Sequence, residues 1–303
     1  MAKGMQATGR EWIEVSVRVD GEAAEAVSEL LNSYGRGGAV IEHRVAGGLG
    51  AHDDVDEMRV KAYIPAEDAV LKQRIEEALW HLGQLYPIPA PEFTVLGEAD
   101  WAEAWKAHYG VLHVGQHTAI VPAWQSYDPA PGEVVIVLDP GMAFGTGTHP
   151  TTRLCLVALE ELVVPGMHVL DLGTGSGVLS ITAAKHGAAS VRAVDIDPIA
   201  VASARENVSA NGVASIVHVE SGSLEQARAT YDLVLVNILY SVILDLLDRG
   251  LADALRPNGI VVASGIIDDQ EADMVDAFVT RGIEVIGRRR ERDWVALVGR
   301  RTT

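Results

Sequence analysis

Between residues 11 and 98 the spacing of apolar positions switches repeatedly between two periods. WIEVSVRV alternates apolar and polar residues, the pattern of a strand buried on one side. EAAEAVSELLNSY follows at helical spacing and stops at Gly35. GAVIEHRV and EMRVKAYIP predict two more strands around the loop AGGLGAHDDVD. AEDAVLKQRIEEALWHLGQL predicts a second amphipathic helix, closed by Pro87, Pro89 and Pro91, and EFTVLG a last strand. The order β-α-β-β-α-β predicts a ferredoxin-like α+β domain over 11–98. It holds no obvious chemical constellation, so binding or orienting a partner is its expected work.

EADWAEAWKAHYG reads as a short helix connecting two domains over 99–110, with Trp101 and Trp105 one turn apart at a spacing typical of packing. VLHVGQHTAIVPAW and GEVVIVLDPG are strand-like. Strands and helices then alternate through a second domain over 111–303. HVLDLG, SVRAVDI, SIVHVES, YDLVLVNI and GIVVASGI are mostly apolar on both faces. GVLSITAAKHG, PIAVASARENVSANG, SVILDLLDRGLADALRPNG and DDQEADMVDAFVTRG lie between them as helices. That pattern predicts an α/β fold, a doubly wound parallel sheet covered on both sides. IEVIGRRRERDWVALVGRR departs from it, with two strand-like runs about a polar turn, so the sheet is expected to end in an antiparallel hairpin.

Length and charge narrow the picture. A chain of 303 residues suits two domains. Cys155 is the only cysteine, which excludes an intrachain disulfide and a cysteine-based metal cluster. No apolar run reaches the ~20 residues that cross a bilayer, and MAKGMQATGREW lacks the apolar core of a secretory signal. A cytoplasmic protein without membrane contact is expected. The formal net charge of −18 opposes a phosphate backbone and favours a cationic partner, so direct DNA binding is not expected.

The candidate chemistry starts at DLGTGSG, where Gly173, Gly175 and Gly177 alternate between a strand and a helix. A dinucleotide fingerprint places its third glycine one residue later and its pyrophosphate on the helix N-terminus. Here Asp171 precedes the first glycine, and a carboxylate there suits the cationic amino-acid end of S-adenosylmethionine better than a phosphate. The next strand ends at Asp195, which can accept from both hydroxyls of a ribose; Asp197 is expected to cap the following helix. With the terminal hairpin, these features point to a class I S-adenosylmethionine-dependent methyltransferase. The competing readings are a methyltransferase of another protein or of a small-molecule amine, a nucleotide-dependent oxidoreductase and a non-catalytic binding module. Asn237, in VNIL at the end of the fourth strand, can offer its amide oxygen to an amine N–H and orient the nitrogen for in-line attack.

A second glycine-rich stretch, DPGMAFGTGTHPTT, lies one short helix upstream. Phe144 can cover a cofactor, Gly145 and Thr146 continue the loop beside it, and Thr151 or Thr152 can serve the start of a helix. His149 has no carboxylate partner in sequence and is expected to be structural. The RRRER run over 288–292 is expected to be a solvated hairpin face, and His108, His113 and His117 lack metal-ligand spacing, so no metal is predicted.

LDPGMAFGTGTHPTTRLCL, VLDLGTGSGVLSITAAKHGAASVRAVDIDP, DLVLVNIL, ASGI, DWAEAWKAHYGVLHVG, VPAW and the opening EWIEVSVRV together resemble the PrmA ribosomal protein methyltransferases, which modify protein eleven of the large subunit. The resemblance implies an N-terminal substrate-recognition domain, a helical linker and a C-terminal methyltransferase domain. It also implies methylation of lysine ε-amines and an N-terminal α-amine. It carries cofactor contacts onto Thr152, Gly173, Asp195 and Asn237, with Asn237 also serving the target amine. Tyr240, Ser241 and Val242 stand where the family often has Ala-Gly-Pro, a departure that bears on the acceptor pocket.

Overall fold

The computed structural model describes residues 11–19, 21–32, 34, 39–43, 58–84, 88–97, 110–139, 145, 147–227 and 229–302. The chain divides into two compact units, Met1–Tyr109 and Gly110–Thr303. The linker helix expected over 99–110 lies outside the described residues except for Gly110.

In the first unit β1 (Trp12–Val19), α1 (Gly21–Asn32), β2 (Val40–His43), β3 (Met58–Pro65), α2 (Ala69–Leu82) and β4 (Glu92–Leu96) follow one another. The sheet order is β2-β3-β1-β4, antiparallel throughout. Alternation along β1 sends Ile13, Val15, Val17 and Val19 into one core with Val27 and Leu31 of α1 and Ile75 and Leu79 of α2. Asp68 starts α2 by accepting from Leu71 N–H at 2.9 Å.

The second unit opens with a small sheet of β5 (Leu112–Val114), β6 (Thr118–Pro122) and β7 (Val134–Leu138), in that order. Then come α3 (Pro150–Leu162), β8 (His168–Leu172), α4 (Val178–Lys185), β9 (Ser190–Asp195), α5 (Pro198–Ala210) and β10 (Val217–Ser221). β11 (Tyr231–Asn237), α6 (Tyr240–Asp248), β12 (Leu255–Ile267), α7 (Glu271–Thr280), β13 (Ile283–Glu291) and β14 (Trp294–Arg301) complete it. The main sheet runs β10-β9-β8-β11-β12-β14-β13. β8 to β12 are parallel, and β14 is antiparallel to both its neighbours, as the terminal hairpin predicts.

Helices α3, α4 and α5 cover one face, where Leu156, Leu159 and Ile181 meet Val169, Val191, Leu233 and Leu235. The small sheet adds Ile120, Ile136 and Leu138 to that core as a further layer. Its outer strand is closed by side chains: Asn211 accepts from Val137 N–H at 2.9 Å and donates to Val137 C=O at 2.6 Å. α6 and α7 cover the other face at β11, β12 and β13.

One element differs from the periodic pattern. The helix expected over SVILDLLDRGLADALRPNG ends at Asp248. Gly250 takes φ +95°, a 3₁₀ turn spans Leu251–Ala254, and Leu255 already belongs to β12. The apolar residues of that turn are buried by the sheet, so their spacing mimics a longer helix.

Candidate cofactor and acceptor site

Strand order reverses between β8 and β11, which places a crevice at their carboxyl ends. The loop leaving β8 is hooked to the end of β9, because Gly173 and Thr174 both donate their N–H groups to Val194 C=O, at 2.9 and 3.0 Å. Gly173 (φ +74°), Gly175 (φ +56°) and Gly177 (φ +84°) supply the left-handed turns this path needs. A Cβ on Gly173 would fall on the Ile238 side chain, and one on Gly177 would press on Ala204 of α5.

Asp171 lies beneath this loop, 1% exposed. Its Oδ2 accepts from Thr174 Oγ1 at 2.7 Å and Ser180 Oγ at 2.6 Å, while Oδ1 is buried without a hydrogen-bond partner. Burial, helped by the charge of Asp195, pushes its pKa up to about 6 against those two hydrogen bonds. Asp195 is half-buried and held from behind: Oδ2 accepts from Gly175 N–H at 2.9 Å and Oδ1 from Asp197 N–H at 3.0 Å. Asp197 caps α5 through Ile199 N–H at 2.8 Å, as its position before Pro198 predicts.

The two glycine-rich stretches meet. Ser176 Oγ donates to Gly145 C=O at 2.6 Å, and Gly145 has φ +97°. Asn207 of α5 joins them again, donating to Ser176 C=O at 2.9 Å and accepting from Asp139 N–H at 3.1 Å. Phe144 and Thr146 lie outside the described residues.

His149 caps α3. Its Nδ1 accepts from Thr151 N–H at 3.3 Å and contacts Thr151 Oγ1 at 2.7 Å, and its ring stands edge-on to Trp294. Burial and then the nearby Arg153 charge lower its pKa to about 4, which suits a neutral capping acceptor. Thr152, fully buried, accepts from Asn237 Nδ2 at 3.4 Å. Asn237 is half-buried at the end of β11, beside Ser264 of β12. The next residue, Ile238, is gripped from two sides, because a Cβ on Gly265 (φ +87°) would fall on its carbonyl. Ile196 (78% exposed) and Leu239 (73%) stand one residue beyond Asp195 and two beyond Asn237, leaving apolar surface at the rim.

Residue spacing did not point to Ser176, Asn207 or the Ile238 wedge. Their partners are 31 or more residues away, apart from the glycine at 265. The RRRER run is an ion-paired strand edge: Arg288 donates to Glu271 at 2.8 Å, Arg290 to Glu271 and Arg289 to Glu161. His113 Nδ1 sits 3.0 Å from Glu133.

Residues 11–302 match the family described as ribosomal protein L11 methyltransferase (PrmA). A ribosomal protein L11 methyltransferase of Chloroflexus aurantiacus is 47% identical over 98% of this chain and 99% of its own. One of Herpetosiphon aurantiacus is 41% identical over 96% and 99%. A crystal structure of a ribosomal protein L11 methylase from Lactobacillus delbrueckii subsp. bulgaricus superposes with a TM-score of 0.59 and 35% identity, covering 64% of this chain and 100% of that one. With a match over nearly its whole length and a class I methyltransferase sheet to carry the site, the chain belongs to the PrmA family of ribosomal protein L11 methyltransferases.

Proposed function

We infer that this chain methylates ribosomal protein L11 in the cytoplasm, on lysine ε-amines and the N-terminal α-amine, with S-adenosylmethionine as methyl donor. The observation that carries the reading is Asn237, anchored at the switch point between the glycine loop and α3 in a chain that matches the family from 11 to 302. The residues present fit this donor. Asp195 is held at the end of β9 with both oxygens braced by backbone N–H groups, which leaves it lone pairs for a ribose diol. The carboxyl of Asp171 beneath the loop favours a cationic amino-acid end over a phosphate. Glycines at 173 and 175 let the backbone come close, and the exposed Ile196 offers apolar surface beside Asp195.

When bound, S-adenosylmethionine supplies an electrophilic methyl on sulfonium sulfur. Asn237 then acts as the catalytic positioning group. Its Nδ2 is committed to Thr152, so Oδ1 is the end that accepts an N–H of the incoming amine and aims the nitrogen lone pair. The amine must be neutral to attack, and a free lysine near pKa ~10.4 is not. His149 is occupied as a cap, so the proton leaves to water. Leu239, 73% exposed two residues beyond Asn237, offers apolar surface to the aliphatic stem of a lysine. Gly145, tied to Ser176, stands beside the glycine loop that would hold the donor, with Thr152 behind Asn237.

Incubation with radiolabelled S-adenosylmethionine and ribosomal protein L11, free and assembled, tests this. Label on amino groups of L11 is expected, with Asn237→Ala greatly slowing turnover while retaining much of the cofactor affinity. Label on another acceptor and none on L11 would sink the substrate assignment.

A further inference from the structure

The opposite, amino-terminal edge of the main sheet holds a cavity of about 430 Å³. Among the described residues no helix covers it. Parallel strands are joined by crossovers of a dozen or more residues, commonly a helix, yet the described residues between Ser221 and Tyr231 form only the 3₁₀ turn Leu224–Gln226. The face of β8, β9 and β10 on that side is left open at its lower end. Register puts His168 beside Ser190 and His218 beside Arg192 on this face. Tyr231, beside a register shift in the β11–β12 pairing, lines it as well and packs apart from the core that holds Leu233.

Most polar side chains there can donate, with Glu220 the one carboxylate in the lining. Arg192 uses its Nε on Glu220, and Arg256 uses one terminal nitrogen on both oxygens of Asp232, at 2.7 Å. Each guanidinium carries five N–H groups, so both keep donors for a ligand. His168 Nδ1 lies 2.7 Å from Ser190 Oγ. Tyr231 lines the cavity and is 5% exposed; its hydroxyl faces the Arg192 guanidinium but makes no hydrogen bond of good geometry. A buried hydroxyl with a poorly formed bond is costly, and an oxyanion held by it and Arg192 together would complete its bonding.

We propose that this cavity is a second binding site, for a small phosphate monoester, with Arg192, Arg256 and Tyr231 holding the phosphoryl group. Arginine forks match phosphate oxygens, and the volume suits a ligand of nucleotide size or less. The net charge of −18 repels every anion but a many-charged RNA backbone more than a dianionic ester. The site is separate from the methyl-transfer crevice and does not depend on it.

Calorimetric titration of the full chain, saturated with S-adenosylhomocysteine to block the crevice, tests the proposal. The probes are inorganic phosphate, ribose 5-phosphate, adenosine 5′-monophosphate and a single-stranded RNA 12-mer. One molecule of a monoester is expected to bind per chain. Tyr231→Phe should weaken it about 3- to 10-fold and Arg192→Gln by more than about 10-fold. Glu220→Gln should tighten it about 3-fold, a gain that damage to the fold cannot produce. No binding of any monoester at millimolar concentration, or affinities unchanged in all three variants, overturns the site. RNA binding at least about 10-fold tighter than the monoester, with the same variant dependence, overturns the small-ligand assignment.

Discussion

Thr152 Oγ1, buried in the first turn of α3, accepts a hydrogen bond from Asn237 Nδ2 at 3.4 Å across 85 residues of sequence. That bond determines which end of the amide is free. Thr152→Val removes the acceptor while keeping the shape, so the amide loses its anchor. We expect kcat to fall about 10- to 100-fold, with S-adenosylhomocysteine affinity within about 3-fold of the parent. Thr152→Ser should restore most of the rate. Equal kcat in the valine and serine variants would remove Thr152 from the positioning role.

Ser176 ties the two glycine-rich loops through Gly145 C=O at 2.6 Å. Ser176→Ala leaves that carbonyl without its donor and loosens the loop beside the donor site. Cofactor affinity should weaken about 5-fold, the equivalent of one hydrogen bond near 1 kcal/mol. Calorimetric titration with S-adenosylhomocysteine measures it, and an unchanged Kd would mean the loops are held together elsewhere.

Gly265 and Gly166 both have positive φ, at +87° and +94°, but only Gly265 faces a neighbour, the Ile238 backbone. Alanine at Gly166 meets open space and should cost about 1 kcal/mol from backbone strain alone. Gly265→Ala must also displace Ile238, so it should cost more than about 2 kcal/mol and lower Tm by at least about 5 °C. Because Ile238 follows Asn237, turnover should fall as well. Equal Tm values for the two variants would show that Ile238 is not wedged.

His149 has a folded pKa near 4, below its ordinary 6.5, chiefly from burial and then from Arg153. The unfolded chain therefore binds this proton first as pH falls. The stability from neutral His149 is complete above pH 6.5 and is lost as pH drops toward 4. Discounted for partial exposure, the loss is roughly 1–2 kcal/mol. His149→Asn keeps a capping acceptor but does not titrate, so its denaturation curves should match the parent at pH 7 and show less acid sensitivity between pH 6.5 and 4. Parallel pH profiles would refute this.

Much of this molecule was written locally. Alternation in WIEVSVRV, helical spacing in AEDAVLKQRIEEALWHLGQL and the apolar runs from HVLDLG to GIVVASGI fall on β1, α2 and the parallel strands. Each such signal reports one face of one element. Asp197 before Pro198 read correctly as a cap because capping is a contact over two residues. The helix expected to run past Asp248 failed because apolar spacing alone cannot distinguish a helix from a buried 3₁₀ turn feeding a strand.

The sequence by itself determined the fold class, the glycine loop, the ribose-binding candidate Asp195 and the family signature in GTGTHPTT. Only the tertiary structure decided which atoms meet. Ser176 reaches Gly145, Asn237 turns its nitrogen to Thr152, and Ile238 is held between Gly173 and Gly265. The uncovered lower edge of β8 to β10 is of the same kind, since it depends on what fails to pack there. Periodicity encodes burial along one element, whereas the direction of a hydrogen bond, a glycine's close neighbour and an open cavity depend on elements that approach only after the chain has folded.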